Sequence, residues 1–407
     1  MTRSDGESER QLAEDLVGQI RRRPGGFADV AEMVEKSGVG SSKLAELCRR
    51  HYHATPSETL ERARVKRCRR QLFDSDQPLA EVASDAGFGS SSELEERFRR
   101  HYRMSPADFR RLRGAARFEI ALPRWFQRHR VLVYLGRDPE SLTEQVAAGG
   151  RSVRFGLWAA GRPVAVTVSW RGFTARCELD APRLGERSAA DVHGQLLRLL
   201  GLVIDPRSFE RRRSRQPLLA RLVAGRRGLS IPQTATFLDG LVWVVCGQQV
   251  SLPVAFALRR RLAEKVGVRV AGGGGLFAPP LADAVAGLEP EELRALGFSR
   301  AKADYLSGIA QAVSAGSLSA ARLAAASVTR IEAELGAVRG LGPWSVNYLM
   351  MRSFGLVDCV PSGDVVLERN LKRFFALDRR PKAAATRQLM KVFAPHRSLA
   401  TFHLWAL

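Results

Sequence analysis

Apolar and polar positions change rhythm twice along this chain. In the first stretch, Phe27 to Lys36 and Leu79 to Asp85 each read as a short helix. Each is followed by a glycine turn, serines suited to N-capping, and a second helix. Between Phe118 and Asp205 the pattern shortens to β-branched or aromatic runs, Val131 to Leu135, Arg154 to Trp158 and Val164 to Trp170, punctuated by Gly and Pro. An amphipathic helix is expected over Ala189 to Leu202, and Phe209 to Arg215 reads as a basic connector. From Gln216 onward the chain reads as helical, with runs near 234–267, 281–287, 290–313, 318–335 and 343–354. Gly272 to Gly275 has no Lys-Ser/Thr after it, so it reads as a flexible turn and not a phosphate cradle.

The first segment is duplicated. Ser37 to Tyr52 reads S-G-V-G-S-S-K-L-A-E-L-C-R-R-H-Y, and Ala86 to Tyr102 reads A-G-F-G-S-S-S-E-L-E-E-R-F-R-R-H-Y. The R-R-H-Y blocks and Pro56/Pro106 share one offset of 50 residues. Helix, glycine turn and capped second helix are the grammar of a helix-turn-helix, whose second helix enters the major groove. The basic stretch Arg62 to Gln71 would join the copies. The pair resembles the DNA-binding domain of AraC-type regulators over residues 12–113. The resemblance places Ser42, Lys43 and Glu46 on the first reading helix and Ser91, Ser92 and Glu95 on the second. Arg49, Arg50, Arg99 and Arg100 lie toward the helix ends, where phosphate contact is favoured over base reading.

Charge adds a second line. Among 407 residues, 64 Lys+Arg stand against 42 Asp+Glu, a net +22. Such a surface attracts polyanions, of which nucleic acid is the commonest, although the same charge could serve solubility. Residues 1–113 carry only +3, so the remaining 294 carry +19. The stronger electrostatic pull on DNA belongs to the rest of the chain. At 45% hydrophobic the chain can build packed cores, which excludes wholesale disorder. Its longest apolar stretch, around Phe237 to Leu258, is interrupted by Asp239, Gln248 and Gln249, too polar for a bilayer about 30 Å thick. Met1 to Gln11 is polar and lacks the apolar core of a secretion signal. A cytoplasmic, nucleoid-associated protein without membrane contact is expected. Cys48, Cys68, Cys177, Cys246 and Cys359 form no CxxC pair, which argues for free buried thiols over a zinc or iron–sulfur site.

The most informative stretch is Leu335 to Tyr348, L-G-A-V-R-G-L-G-P-W-S-V-N-Y. A helix ends, a Gly-x-Gly turn follows and a new helix begins. Gly340 and Gly342 would let the backbone approach a phosphate, with the next helix's amides pointing at the anion. By itself this is equally an ordinary tight turn. Asp358 to Leu367, D-C-V-P-S-G-D-V-V-L, then sets Asp364 at the end of a Pro/Gly loop, ahead of a helix. Together these resemble the helix-hairpin-helix DNA glycosylases with a Gly/Pro-rich loop and an Asp, most closely their 3-methyladenine DNA glycosylase II branch. Leu241 to Leu252 (L-V-W-V-V-C-G-Q-Q-V-S-L), Leu293 to Leu306 and Phe393 to Trp405 extend the resemblance over residues 118–407, weakly before 215.

The expected fold is therefore multidomain and mainly α. A duplicated helix-turn-helix domain occupies 1–113, a small α+β domain 114–210 and an all-α helix-hairpin-helix glycosylase domain 211–407. The resemblance implies a repair enzyme for alkylated bases of the 3-methyladenine/7-methylguanine type, with double-stranded DNA as partner. N-glycosidic cleavage builds oxocarbenium-like charge on the sugar. A carboxylate at about 4 Å, at an effective dielectric near 20, offsets about 4 kcal/mol, or nearly three decades of rate. Asp364 is the catalytic candidate and would also orient or deprotonate the attacking water. Taken alone, it could equally be a helix N-cap.

An alkylated base is cationic, so aromatic faces can recognise it. The resemblance puts Trp344, Tyr348 and Trp405 on the pocket wall, though each reads equally as core packing. Gln249 falls where relatives fill the gap left by the flipped base. Trp344 stands where the bifunctional branch carries a Schiff-base Lys, implying base release without strand cleavage. No cofactor is implied, and the hairpin carbonyls near Gly340 and Gly342 leave room for a monovalent metal that bridges to a DNA phosphate.

Two departures stand out. Leu122 to Arg128 (L-P-R-W-F-Q-R) replaces the relatives' Pro-Pro-Tyr-Asp-Trp-like segment, which opens the question of substrate range. The Cys-rich methyl-acceptor module and Pro-Cys-His-Arg motif of adaptive-response regulators are absent, leaving the helix-turn-helix pair without an assigned task. The rival reading is an AraC-type transcription regulator with a catalytically idle glycosylase-like C-terminal domain.

Overall fold

The structure, a computed structural model, describes residues 3–407. Met1 and Thr2, the start of the polar N-terminal stretch, lie outside the described residues. The chain divides into two compact units, residues 1–113 with 322–331, and residues 114–321 with 332–407.

The first unit opens with a helix that the repeat did not predict, α1 (Arg3–Arg22). Leu16 and Ile20, one turn apart, enter the core with Met33, Leu44, Cys48 and Leu60. The two helix-turn-helix copies follow as α2 (Val30–Ser37) with α3 (Ser41–Tyr52), and α5 (Leu79–Ala86) with α6 (Ser91–Tyr102). Between them runs α4 (Pro56–Asp74), which contains the basic stretch, and α7 (Pro106–Arg110) closes the unit. The duplication reaches the backbone. His53 and Arg103, just after the R-R-H-Y blocks, both adopt left-handed φ, and Thr55 and Ser105 then N-cap the helices begun by Pro56 and Pro106. Gly87 ends α5 at φ +87°, where a Cβ would lie 2.9 Å from Gly25 Cα. Only the second copy has the expected serine cap. Ser90 accepts from Glu93 N at 3.1 Å, whereas α3 starts from Gly40 with no side-chain cap.

The second unit begins with a five-stranded antiparallel sheet, β1 (Arg117–Ala121), β2 (Glu144–Val146), β3 (Ser152–Ala159), β4 (Arg162–Arg171) and β5 (Thr174–Asp180), in the order β1-β5-β4-β3-β2. Its strands alternate as period-two patterns should. In β5, Ala175, Cys177 and Leu179 are buried while Arg176 and Glu178 face out. The run Val131 to Leu135 is not a strand. It lies in α8 (Arg128–Leu135), where Val131, Leu132 and Leu135 are buried but Val133 is 71% exposed. A strand would put 131, 133 and 135 on one face, so the observed burial follows the helical period. α9 (Ser188–Leu199) forms most of the expected amphipathic helix and ends three residues short of Leu202, ahead of Gly201 at φ +69°.

The remaining helices are α10 (Arg207–Arg211), α11 (Pro217–Val223), α12 (Phe237–Gly247), α13 (Leu252–Val266), α14 (Ala282–Ala286), α15 (Pro290–Ala295), α16 (Arg300–Ser314), α17 (Ala320–Ala325), α18 (Val328–Gly336), α19 (Pro343–Arg352), α20 (Val365–Phe374), α21 (Ala383–Met390) and α22 (Arg397–Trp405). The Phe209 to Arg215 stretch is α10 plus a 3-10 turn instead of a plain connector, because Phe209 is fully buried. The 234–267 run breaks into α12 and α13 at Gln248–Ser251, where Gln249 takes φ +54°. Gly297, at φ +96°, likewise divides the 290–313 run, and the 318–335 run divides into α17 and α18. Gly272 to Gly275 form the turn of a small hairpin, Val268–Arg269 with Phe277–Ala278. All five cysteines are free and buried. No helix among the described residues is long and apolar enough to cross a membrane.

A buried charge cluster ties the sheet to the helices. Arg259 on α13 reaches Glu144 on β2 at 2.7 Å and Asp239 on α12 at 3.2 Å, and all three side chains are under 20% exposed. Burial would push the Glu144 carboxyl up, but the Arg259 guanidinium outweighs it and holds it below its ordinary 4.5. The stabilisation is therefore complete above that pH and is lost as pH falls through the depressed value. Arg259→Met should cost about 3–5 kcal/mol, because two acids stay buried without their cation. Urea unfolding at pH 7 measures it, and a loss under about 1 kcal/mol would show that the cluster does not hold these elements together.

Candidate active site and nucleic-acid interface

Asp364 is the N-cap of α20, its Oδ1 accepting from Leu367 N at 2.7 Å. The same carboxylate takes two indole bonds. Trp405 Nε1 donates to Oδ1 and Trp344 Nε1 donates to Oδ2, each at 3.0 Å. Cap and indole-held acid are thus one group. The loop in front of it is pinned from both sides. Val360 N donates to Asn347 Oδ1 on α19 at 3.1 Å, and Cys359 N donates to Ser398 Oγ on α22 at 3.0 Å. Arg397 forks onto Asp358 with two bonds of 2.7 Å. Gly363, at φ +94°, then turns the chain into the helix.

Of the residues singled out from the sequence, Asp364, Trp344, Tyr348 and Trp405 come together. Tyr348 stacks obliquely between the two tryptophans, with centroids 5.4 Å from Trp344 and 6.0 Å from Trp405. The aromatic chain continues beyond what the sequence suggested, through Phe402 (5.9 Å from Trp405) to Tyr134 (5.7 Å from Phe402). Arg352, 4% exposed, sits behind it and donates to Tyr348 Oη at 3.1 Å. Tyr134 lies in the apolar run Val131 to Leu135, which carries no sign of a site in the sequence. Arg352 lies one helical turn after Tyr348, a spacing that could have flagged it.

The hairpin borders a groove of about 770 Å³ lined by Gln248, Gln249, Tyr305, Trp344, Ser362 and Arg387 among others, but not by Asp364, Tyr348 or Trp405. Gly340 holds φ +92°, and a Cβ there would lie 2.4 Å from the Tyr305 ring. Gly342, by contrast, faces open space at the N-cap of α19. Gln248 bridges from the α12–α13 loop. Its Nε2 donates to Gly340 O at 2.7 Å and to Ser345 Oγ at 3.3 Å. Next to it the exposed Gln249 points from a left-handed residue, a conformation costing about 1–3 kcal/mol that its surroundings must hold. Lys302 does part of that, its buried ammonium donating to Cys246 O at 2.8 Å at the end of α12. Burial lowers the pKa of this lysine.

Gly340 O accepts one bond from Gln248 and Gly342 O one from Val346 N, so each keeps a second lone pair.

On the first unit, Ser42 and Arg49 are exposed on α3. Lys43 pairs with Glu9 of α1 at 2.6 Å and with Glu46 at 3.3 Å, and Arg50 reaches Glu9 at 3.5 Å. On α6, Arg99 pairs with Glu95 at 2.7 Å, Ser91 is half-buried, and Ser92 and Arg100 are exposed. Partly exposed pairs like these are worth under about 1 kcal/mol, so a phosphate can displace them.

Residues 242–395 match the family of HhH-GPD superfamily base excision DNA repair proteins, and residues 33–112 match a helix-turn-helix domain family. The chain joins an AraC-type helix-turn-helix domain to an HhH-GPD domain. A "DNA-3-methyladenine glycosylase" of Bacillus subtilis is 31% identical over 194 residues, 46% of this chain and 63% of that protein. The chain thus spans less than two thirds of that relative. A "Probable bifunctional transcriptional activator/DNA repair enzyme AlkA" of Mycobacterium tuberculosis is 26% identical over 422 residues, covering 99% of this chain and 82% of that protein. A "3-methyladenine dna-glycosylase from Archaeoglobus fulgidus" superposes with a TM-score of 0.60 at 20% identity, covering 71% of this chain and 97% of that structure. That likeness establishes the shared fold of the HhH-GPD half.

Gly340→Ala should destabilise the HhH-GPD half by about 1–3 kcal/mol through the left-handed φ alone, with the Tyr305 clash in addition. Denaturant unfolding measures it. Gly342→Ala, whose Cβ meets open space, should change stability far less.

Proposed function

We propose that this chain is a monofunctional DNA glycosylase that excises alkylated bases, fused to a sequence-specific DNA-binding module. The observation that carries this is the Asp364 carboxylate, held between the Trp344 and Trp405 indoles next to the hairpin. The proposed division is a DNA-binding domain over 1–113, an α+β domain over 114–210 and a catalytic domain over 211–407. The relatives' names support the chemistry, and solved neighbours of the same fold bound to DNA support double-stranded DNA as partner.

The duplex would lie along the groove, with its phosphate at the Gly340–Gly342 amides and Gln249 filling the space of the extruded nucleotide. A monovalent cation on the Gly340 and Gly342 carbonyls would add positive charge toward that phosphate. The base would stack against Trp344, Tyr348 and Trp405. Asp364 Oδ1 already takes two donors whereas Oδ2 takes one, so Oδ2 has capacity for the attacking water. As the bond to the base lengthens, the carboxylate faces the charge growing on the sugar. Trp344 cannot form a Schiff base, so the product is an abasic site in an unbroken strand.

The regulator reading has its own support. The Mycobacterium relative named as both transcriptional activator and DNA repair enzyme matches across nearly the whole chain. The two activities are compatible, and their separation decides whether the catalytic half is idle.

Asp364→Asn should keep DNA binding and lower base release from methylated DNA by roughly three decades. Released bases are read by mass spectrometry, and abasic sites by strand scission only after alkali. Full activity in this variant would overturn the role of Asp364. A wild-type protein that footprints a promoter and releases no base would establish the regulator reading.

A further inference from the structure

The far end of the aromatic chain carries positive charge that the oxocarbenium argument does not use. Arg352 lies against two phenol rings, its guanidinium carbon 4.8 Å from the Tyr134 centroid and 5.5 Å from that of Tyr348. Arg137 stacks on Tyr134 at 3.7 Å. Among the described residues neither arginine forms an ion pair with a carboxylate. Asp239, an acid that acts on Arg352 at longer range, is already bonded to Arg259.

Tyr348 Oη accepts from Arg352 Nη1 at 3.1 Å. Both guanidiniums lie against the Tyr134 ring. A phenol oxygen has two acceptor sites and one proton. Among the described residues no acceptor takes the proton of either phenol, so each is available to a ligand. Burial would push the Tyr134 phenol up, but the two guanidiniums outweigh it and bring it below its ordinary range, which makes it the stronger donor. Tyr134 is half-buried, whereas Tyr348 is 6% exposed.

We propose that the Tyr134 hydroxyl, polarised by Arg137 and Arg352, donates to the departing base and stabilises the negative charge that base acquires. The proposal rests on the glycosylase reading above and extends it to the leaving group. Heterolysis leaves the glycosidic electron pair on the base. A cationic alkylated base departs neutral and needs no help. An uncharged damaged base departs as an anion and does. Overall, water adds its hydroxyl to the sugar carbon and its remaining proton ends on the base. Tyr134 keeps its own proton, and its hydrogen bond strengthens as charge arrives. The two guanidiniums act through the phenol and favour a departing anion over a bound cation. Tyr134 is thus the contact that decides whether neutral lesions are processed, and Arg137 and Arg352 are positioning residues for it.

The test uses the full chain and two duplexes, one with a single hypoxanthine as the uncharged base and one with 3-methyladenine as the cationic base. Single-turnover release is measured under saturating enzyme. A hydrogen bond to a charged acceptor is worth a factor of about 10–100. Tyr134→Phe should therefore slow hypoxanthine release by that factor and leave 3-methyladenine release within about threefold. The exposed Arg137→Gln should shift the ratio of the two rates the same way by a smaller factor. Equal slowing of both substrates, or an unchanged ratio, would overturn the proposal. So would a wild-type protein that releases 3-methyladenine and no hypoxanthine. Release of neither base would instead defeat the glycosylase reading, and this proposal with it.

Discussion

One carboxylate, gripped by three N–H donors from three different segments, organises the HhH-GPD half. Asp364 accepts from its own helix at Leu367, from Trp344 at the start of α19 and from Trp405 at the end of α22. Hydrogen bonds to a charged acceptor contribute about 1.5–3 kcal/mol each, and a half-buried acid without them would be costly. Satisfying it therefore fixes the hairpin, the Pro/Gly loop and the last helix relative to one another. Capping leaves room for the chemistry proposed for this acid. Oδ1 carries two of the three bonds, and Oδ2 keeps room for a reactant.

The same unit places buried cations where most cores would place hydrocarbon. Lys302 sits on a helix-end carbonyl, Arg259 between two carboxylates, and Arg352 against two phenols. In each case the charge is buried only where oxygen or a π face meets it, which is the condition for burying a charge at all. Lys302 and Gln248 also hold the loop in which Gln249 adopts a left-handed backbone, so the residue pointing from the groove is braced from beneath. A strained residue kept by such support is commonly found where a protein handles a ligand.

Much of the architecture could be read from local pattern. The duplicated R-R-H-Y blocks with Pro56 and Pro106 announced two copies of one motif, and the structure repeats even the left-handed residues between them. The turn at Gly340 and the Pro/Gly loop before Asp364 were legible for the same reason, since both depend on residue types that few other positions require. Helix ends inside long apolar runs were not. Gln248, Gln249, Ser251 and Pro253 interrupt the 234–267 run, but the left-handed turn at Gln249 is held in place through Lys302 and Gly340, which are distant in sequence.

Residue identity and spacing alone determined that this chain holds a paired helix-turn-helix unit, a small α+β segment and a helical domain with a hairpin and an acid. Folding decided which aromatics gather around that acid, and that Tyr134 and Arg352 join them. Val131 to Leu135 shows why. Five consecutive apolar residues, two of them β-branched and one aromatic, suit a strand or a buried helix face equally well, and only packing chose the helix that delivers Tyr134. Periodicity reports which side of an element is apolar, whereas the neighbour that covers that side is set by the whole chain.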